Sequence, residues 1–98
     1  MRYDFDWDRR KAKVNTRKHG VTFEQAVTIF RDPNLLSIPD DEHSGDEERW
    51  ITMGLDESGR LLVISHKFEL VREISARVRI ISARKATTRE KRRYEKGI

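Results

Sequence analysis

The sequence predicts an α+β fold: a small antiparallel β-sheet with an N-terminal helical hairpin and a C-terminal helix. Three observations carry this. Short strand-like stretches recur at 49–54, 61–66 and 77–83, with apolar residues at alternate or successive positions. Two helix starts are written as capping boxes, Thr22 with Gln25 and Thr87 with Glu90, in which each partner satisfies an orphan backbone N–H. The later stretches follow one another closely, and short connections favour antiparallel neighbours.

Taken in order, Tyr3, Phe5 and Trp7 alternate with Asp4, Asp6 and Asp8, giving a first strand with one aromatic face. Asp8 suits the N-cap of a polar helix from Arg9 to His19, and Gly20 tolerates the left-handed conformation that ends it. Thr22 opens a second helix in which Phe23, Ala26, Val27 and Phe30 fall on one face. Asp32-Pro33 stops it, because the residue before proline avoids the α region. These two helices form the hairpin, turning at Lys18-His19-Gly20.

Leu35 to Ile38 reads as a short extended segment and Pro39 to Glu48 as an acidic loop. Arg49 to Gly54 is a strand with Trp50 and Thr52 on one face and Ile51 and Met53 on the other. Asp56-Glu57-Ser58-Gly59 is turn chemistry. Leu61 to His66 is apolar on both faces and belongs at the sheet centre. Lys67 to Ala76 is a hairpin connection into which the strand ends can extend; without Gly or Pro its turn has no marker, and Arg77 to Ala83 is the last strand. Strict alternation puts Arg77, Arg79, Ile81 and Ala83 on one face and Val78, Ile80, Ser82 and Arg84 on the other, with Arg84 at the strand end free to turn into either environment. The final helix has only Tyr94 and Ile98 as substantial apolar residues, too few for a buried stripe.

The 98 residues predict one domain, 1–98, with a single modest core. The absence of cysteine excludes disulfides, thiolate metal sites and cysteine nucleophiles. No apolar run approaches the roughly 18–20 residues of a membrane span, and Met1 to Asp6 lacks a signal core. A soluble cytoplasmic protein with no membrane partner is expected. Charged residues make up 39% of the chain and the net charge is +4. The cations concentrate between Arg77 and Lys96, where only Glu90 and Glu95 oppose them. Such a cluster suits a polyanion or an acidic protein.

There is no serine-triad pattern, glycine-rich phosphate loop or dinucleotide fingerprint, so no nucleotide cofactor is expected. His43 stands beside Asp40, Asp41 and Glu42, but without paired-histidine or calcium-loop spacing no metal site is expected either. Metal-independent RNA cleavage survives these exclusions, because the RNA's own 2′-hydroxyl is the nucleophile. The protein then supplies cations for the phosphate and groups that pass protons. If His66 and an arginine of the last strand share an open face, they make such a site. The plainer readings are a structural His66, Tyr94 as anchor of a thin helix, Arg79 as an ion-pair partner of the acidic loop and Arg60 as hairpin polarity.

Phe5-Asp6-Trp7-Asp8, Asn15, Lys18-His19-Gly20-Val21-Thr22-Phe23-Glu24-Gln25-Ala26, Phe30 and Asp32-Pro33 form one series of motifs. A second comprises His43, Gly45-Asp46-Glu47-Glu48-Arg49, Gly59-Arg60-Leu61-Leu62-Val63, Arg79-Ile80-Ile81-Ser82-Ala83-Arg84, Ala86-Thr87, Glu90 and Tyr94. In this order they resemble the BrnT family, toxins of bacterial type II toxin–antitoxin systems. The resemblance implies a RelE-like ribonuclease fold and growth inhibition through RNA cleavage that blocks translation. It also implies neutralisation by a BrnA-like antitoxin with a ribbon-helix-helix domain. The complex would be a heterotetramer that binds its own promoter DNA. The segment from Lys67 to Ala76 is longer than the usual connection before the Arg-Ile-Ile-Ser-Ala-Arg strand.

On the basic strand–helix segment and this resemblance together, Arg79 and Arg84 are expected to hold the scissile phosphate, with His66 or Tyr94 assisting proton transfer. Lys18, Arg60, Lys91 and Arg93 are expected to bind the RNA backbone. The alternative is a non-catalytic basic module that docks an acidic partner or nucleic acid.

Overall fold

The computed structural model describes residues 2–43, 45 and 48–97. Asp46 and Glu47 of the acidic block, and Ile98 of the last helix, lie outside the described residues. Strand β1 (Arg2–Asp6) leads into helix α1 (Arg9–His19), a single α-turn α2 (Phe23–Ala26) and a 3-10 helix (Val27–Arg31). Strands β2 (Leu36–Pro39), β3 (Arg49–Leu55), β4 (Leu61–Arg72) and β5 (Ser75–Lys85) follow, and helix α3 (Thr88–Lys96) closes the order.

The local signals act where the sequence places them. The Asp8 carboxylate accepts the N–H groups of Arg10 and Lys11 at 2.8 and 3.1 Å. Gly20 ends α1 at φ +68°, a conformation that costs a residue without Cβ little. Both capping boxes form in full. The second helical segment differs from the expected hairpin arm. Val27, Thr28 and Ile29 are β-branched in succession, and the Thr28 hydroxyl donates to Gln25 O at 2.7 Å. Both features disfavour α geometry, and the chain tightens into a 3-10 helix before Asp32.

The five strands run in the order β1-β5-β4-β3-β2. The sheet is mixed rather than purely antiparallel. β1 lies parallel to β5, with Phe5 opposite Val78 and Asp6 opposite Arg79. The helical segment 9–31, between β1 and the later strands, allows this crossover, and its residues cover one sheet face. Val21, Phe23, Ala26 and Ile29 pack there on Leu62, Ile64, Val78, Ile80 and Ala83. β4 is central, as its apolar run implies. Gly54 admits the 3-10 helix closely, since a Cβ there would stand 3.2 Å from Ile29 O.

Between Lys67 and Ala76 the two strands continue as a paired ribbon, with only Glu73 and Ile74 at its turn. The β4–β5 register also shifts. Ser65 faces Ser82 while His66 faces Ile80, so Ile81 is an extra residue, a β-bulge. The bulge corrects the strict alternation expected for the last strand. Val78, Ile80 and Ala83 all face the core, whereas Arg77, Arg79, Ser82 and Arg84 turn to the opposite face, beside Glu69, Lys67, Ser65 and Val63.

Candidate functional site

The face opposite α1 carries a block of charged residues built by strand register. Lys67 lies directly across from Arg79, and Glu69 from Arg77. Arg49 extends the first row through β3, and Asp6 ends it on β1. Neighbouring strands are about 4.8 Å apart, so Arg49, Lys67 and Arg79 form a lateral row of like charges. Direct opposition of like charges destabilises a sheet. The two strand pairs that hold Arg77 and Arg79 beside Lys67 and Glu69 border a depression of about 470 Å³, which Glu48 also lines. Arg79 Nη1 donates to Asp6 at 2.9 Å, and Arg77 stands 3.7 Å from Glu69. Both pairs are solvent-facing, so both guanidiniums are accessible to an incoming anion.

Arg84 shares this face only because of the bulge at Ile81. It pairs across with Val63, four residues along β4 from Lys67, roughly 13 Å at strand rise. Arg79 and Arg84 therefore occupy two positions along one face, with the Ser65–Ser82 pair between their rows. The Arg84 guanidinium grips Glu90 bidentately, at 2.7 and 2.9 Å. This bond pushes Arg84 above its ordinary value. It also holds the Glu90 carboxyl down at about 2, with the Thr87 N–H contributing. Arg84 thus anchors α3 as well as presenting charge.

His66 is separated from the arginines. Its side chain is 2% exposed on the core face. There Nε2 and the Thr52 hydroxyl lie 2.7 Å apart, and the ring meets Phe30 edge to face. Thr52 in turn contacts the Ser37 hydroxyl at 2.5 Å. Burial lowers the His66 pKa below its ordinary value. A shared open face for His66 and the arginines is therefore corrected: β4 alternation sends Lys67 out and His66 in.

The Tyr94 hydroxyl donates to Asp32, which also accepts Leu55 N–H at 2.8 Å. Burial and the Asp32 bond push Tyr94 up to about 12. Burial alone would raise the Asp32 carboxyl, but the bonds from Leu55, Tyr94 and Asn34 outweigh it and leave it lowered. Tyr94 docks α3 against the end of the 3-10 helix. The remaining candidates divide. Arg60 and Lys91 border one depression with Tyr94. Arg93 lies beside an apolar hollow under Ile51, Met53 and Val63. Lys18 borders a third, with Asn15 and Ser82.

The chain matches the family model of the ribonuclease toxin BrnT, of type II toxin–antitoxin systems, over residues 7–90. It belongs to the BrnT family of ribonuclease toxins. Its fold is similar to the crystal structure of the Brucella abortus ribonuclease toxin BrnT, with a TM-score of 0.59 at 19% identity over 90% of this chain and 100% of that one. No curated protein matches the chain. A BrnT-family chain has an antitoxin as partner by membership of a type II system. The match includes Lys67, Glu69, Arg77, Arg79 and Arg84 and stops short of Tyr94. Among the described residues no group of acidic or histidine side chains could hold a metal ion, and no helix is long and apolar enough to cross a membrane.

Arg49, Lys67 and Glu69 escaped the sequence reading. Lys67 and Glu69 enter through the β4–β5 pairing and Arg49 through the β3–β4 pairing, and both need β4 to extend into the segment from Lys67 to Ala76.

Proposed function

We propose that this BrnT-family chain is a metal-independent endoribonuclease with a RelE-like fold that cleaves RNA and so blocks translation. The observation that carries the proposal is the register-built square of Lys67, Glu69, Arg77 and Arg79 on the open sheet face. Two guanidiniums can bind phosphate oxygens in a forked geometry and stabilise the charge that builds during cleavage. Glu69, across the ladder from Arg77, is the carboxylate within the square and is suited to take the proton of the RNA 2′-hydroxyl. That oxygen attacks phosphorus, the bond to the 5′-oxygen breaks, and the Lys67 ammonium supplies the leaving oxygen with a proton. The products are a 2′,3′-cyclic phosphate and a free 5′-hydroxyl. Arg84, further along the face, holds a phosphate further along the strand. His66 and Tyr94 are structural in this scheme. Lys18 and Arg93 contact more distant backbone.

The partner is a BrnA-like ribbon-helix-helix antitoxin. Their heterotetramer binds promoter DNA through the antitoxin. The test is cleavage of single-stranded RNA by the purified chain in excess EDTA. Cleavage should persist and leave cyclic phosphate ends, and 2′-O-methyl RNA should resist. Activity lost in EDTA and restored by a divalent ion would overturn the metal-free mechanism. Salt-sensitive binding of intact RNA without cleavage would favour the non-catalytic module instead.

A further inference from the structure

We infer that the depression where the β3–β4 turn meets α3 is a nucleotide subsite for single-stranded RNA, holding one phosphate and its base away from the cleavage point. The inference rests on the ribonuclease reading above but uses different residues. The depression, about 570 Å³, is bordered by Arg60, Leu61, Lys85, Lys91, Tyr94 and Glu95, within the size range of small-ligand sites.

Its first feature is a preorganised guanidinium. Arg60 Nε donates to Asp56 at 3.1 Å and Nη2 to Gln25 at 3.2 Å. Asp56 is 6% exposed and is gripped by Ser58 N–H, Ser58 Oγ and Arg60 N–H at 2.8–3.0 Å. Burial would push its carboxyl up, but these bonds outweigh it and leave it lowered. A buried carboxylate thus fixes Arg60 with Nη1 uncommitted, so little side-chain freedom is lost when an anion binds.

The second feature is two lysines from different elements. Lys85 at the end of β5 and Lys91 in α3 make no ion pair among the described residues. Among the described residues, Asp56 behind Arg60 and Glu95 on the rim are the carboxylates set against these three cations, which leaves the depression net positive. The third feature is a fixed aromatic ring. Tyr94 is tied at its hydroxyl to Asp32, and Leu61 lies alongside. An anion site next to a ring held in place matches a nucleotide, whose base stacks without regard to identity.

The test uses the full chain and a 2′-O-methyl hexanucleotide of uridine, which binds but cannot be cleaved. On titration, backbone resonances of Gly59, Arg60, Leu61 and Ala86 should shift. The Lys85→Ala/Lys91→Ala double variant, altered only at exposed positions, should bind about tenfold more weakly. Its affinity should lose about 0.7 of salt slope per phosphate contact removed. Wild-type affinity and slope in that variant, or shifts absent from these residues, would overturn the subsite. Cleavage of a dinucleotide too short to reach the depression separates the two readings. If it is cleaved while the hexanucleotide leaves Arg60 and Leu61 unshifted, the subsite fails and the nuclease stands. If the hexanucleotide binds as described and nothing is cleaved, the nuclease fails and the subsite stands.

Discussion

The Asn15 side chain holds both backbone polar groups of Ala83. Its Oδ1 accepts Ala83 N–H at 3.1 Å, and its Nδ2 donates to Ala83 O at 2.8 Å and to Val21 O at 3.1 Å. β1 ends opposite Arg79, so β5 beyond that point lacks a strand on this side. The amide takes the strand's place, two residues after the bulge that turns Arg84 outward. Asn15→Ala leaves buried donors and acceptors unmet, at roughly 1–3 kcal/mol for each group. Urea unfolding should show a loss of about 2 kcal/mol or more. A loss below about 0.5 kcal/mol would mean that water replaces the amide.

Glu90 joins two roles, capping α3 and receiving Arg84. Its folded carboxyl sits at about 2 against an ordinary 4.5. A depressed acid stabilises the fold fully above its unfolded value, and the contribution fades as pH falls from about 4.5 towards 2. Solvent screening of the half-exposed pair limits it to about 1 kcal/mol. Thermal melts of wild type and Glu90→Gln should differ above about pH 5 and converge near pH 2. Parallel curves across that range would show that the ion pair contributes nothing to folding.

His66 gives the opposite test of role. Because burial lowers its folded pKa, the unfolded chain binds the proton more readily. Stability should therefore decline as pH drops below about 6.5, the unfolded value. His66→Gln removes this titration and can still meet the Thr52 hydroxyl. It should lower the melting temperature yet retain RNA cleavage. Wild-type stability with cleavage abolished would return His66 to the chemistry.

What could be read in advance was local. Asp8, Thr22 with Gln25, and Thr87 with Glu90 cap helices through bonds within three residues, and such bonds are visible in the sequence. The parallel pairing of β1 with β5 joins residues more than seventy positions apart and leaves no local mark. The bulge at Ile81 involves no glycine or proline, so strict alternation grouped Ser82 with Val78 and Ile80 and Ala83 with the arginines, the reverse of what the register shows. The site follows the same division. Arg79 and Arg84 stood out as cations on a strand. Lys67 and Glu69 became visible only once β4 was seen to run on to Arg72.

Tyr94 illustrates how a chemically competent group can be withheld from chemistry. With its hydroxyl pushed up to about 12, it is a poor base near neutral pH. Its bond to Asp32 couples α3 to the 3-10 helix. Tyr94→Phe should therefore cost about 1 kcal/mol of stability and leave the cleavage rate of a dinucleotide within about twofold. A hundredfold slower rate with unchanged melting would identify the hydroxyl as a proton donor.

Arg79 and Arg84 should part company under mutation. Arg79 faces Lys67 and forms a solvent-facing ion pair with Asp6, so its loss should leave the fold intact. Removing one charge-stabilising donor from a phosphoryl site typically costs about 10²–10³ in rate, and Arg79→Ala should fall in that range with unchanged melting. Arg84→Ala also releases Glu90, whose carboxylate then lacks its bidentate partner, so stability and activity should drop together. Arg84→Lys separates these effects: it keeps the charge but cannot form the fork. If Arg84 binds a phosphate further along the strand, the lysine variant should recover most RNA affinity while its melting temperature stays low. Growth inhibition as strong for Arg79→Ala as for wild type, without antitoxin, would remove the square from the mechanism.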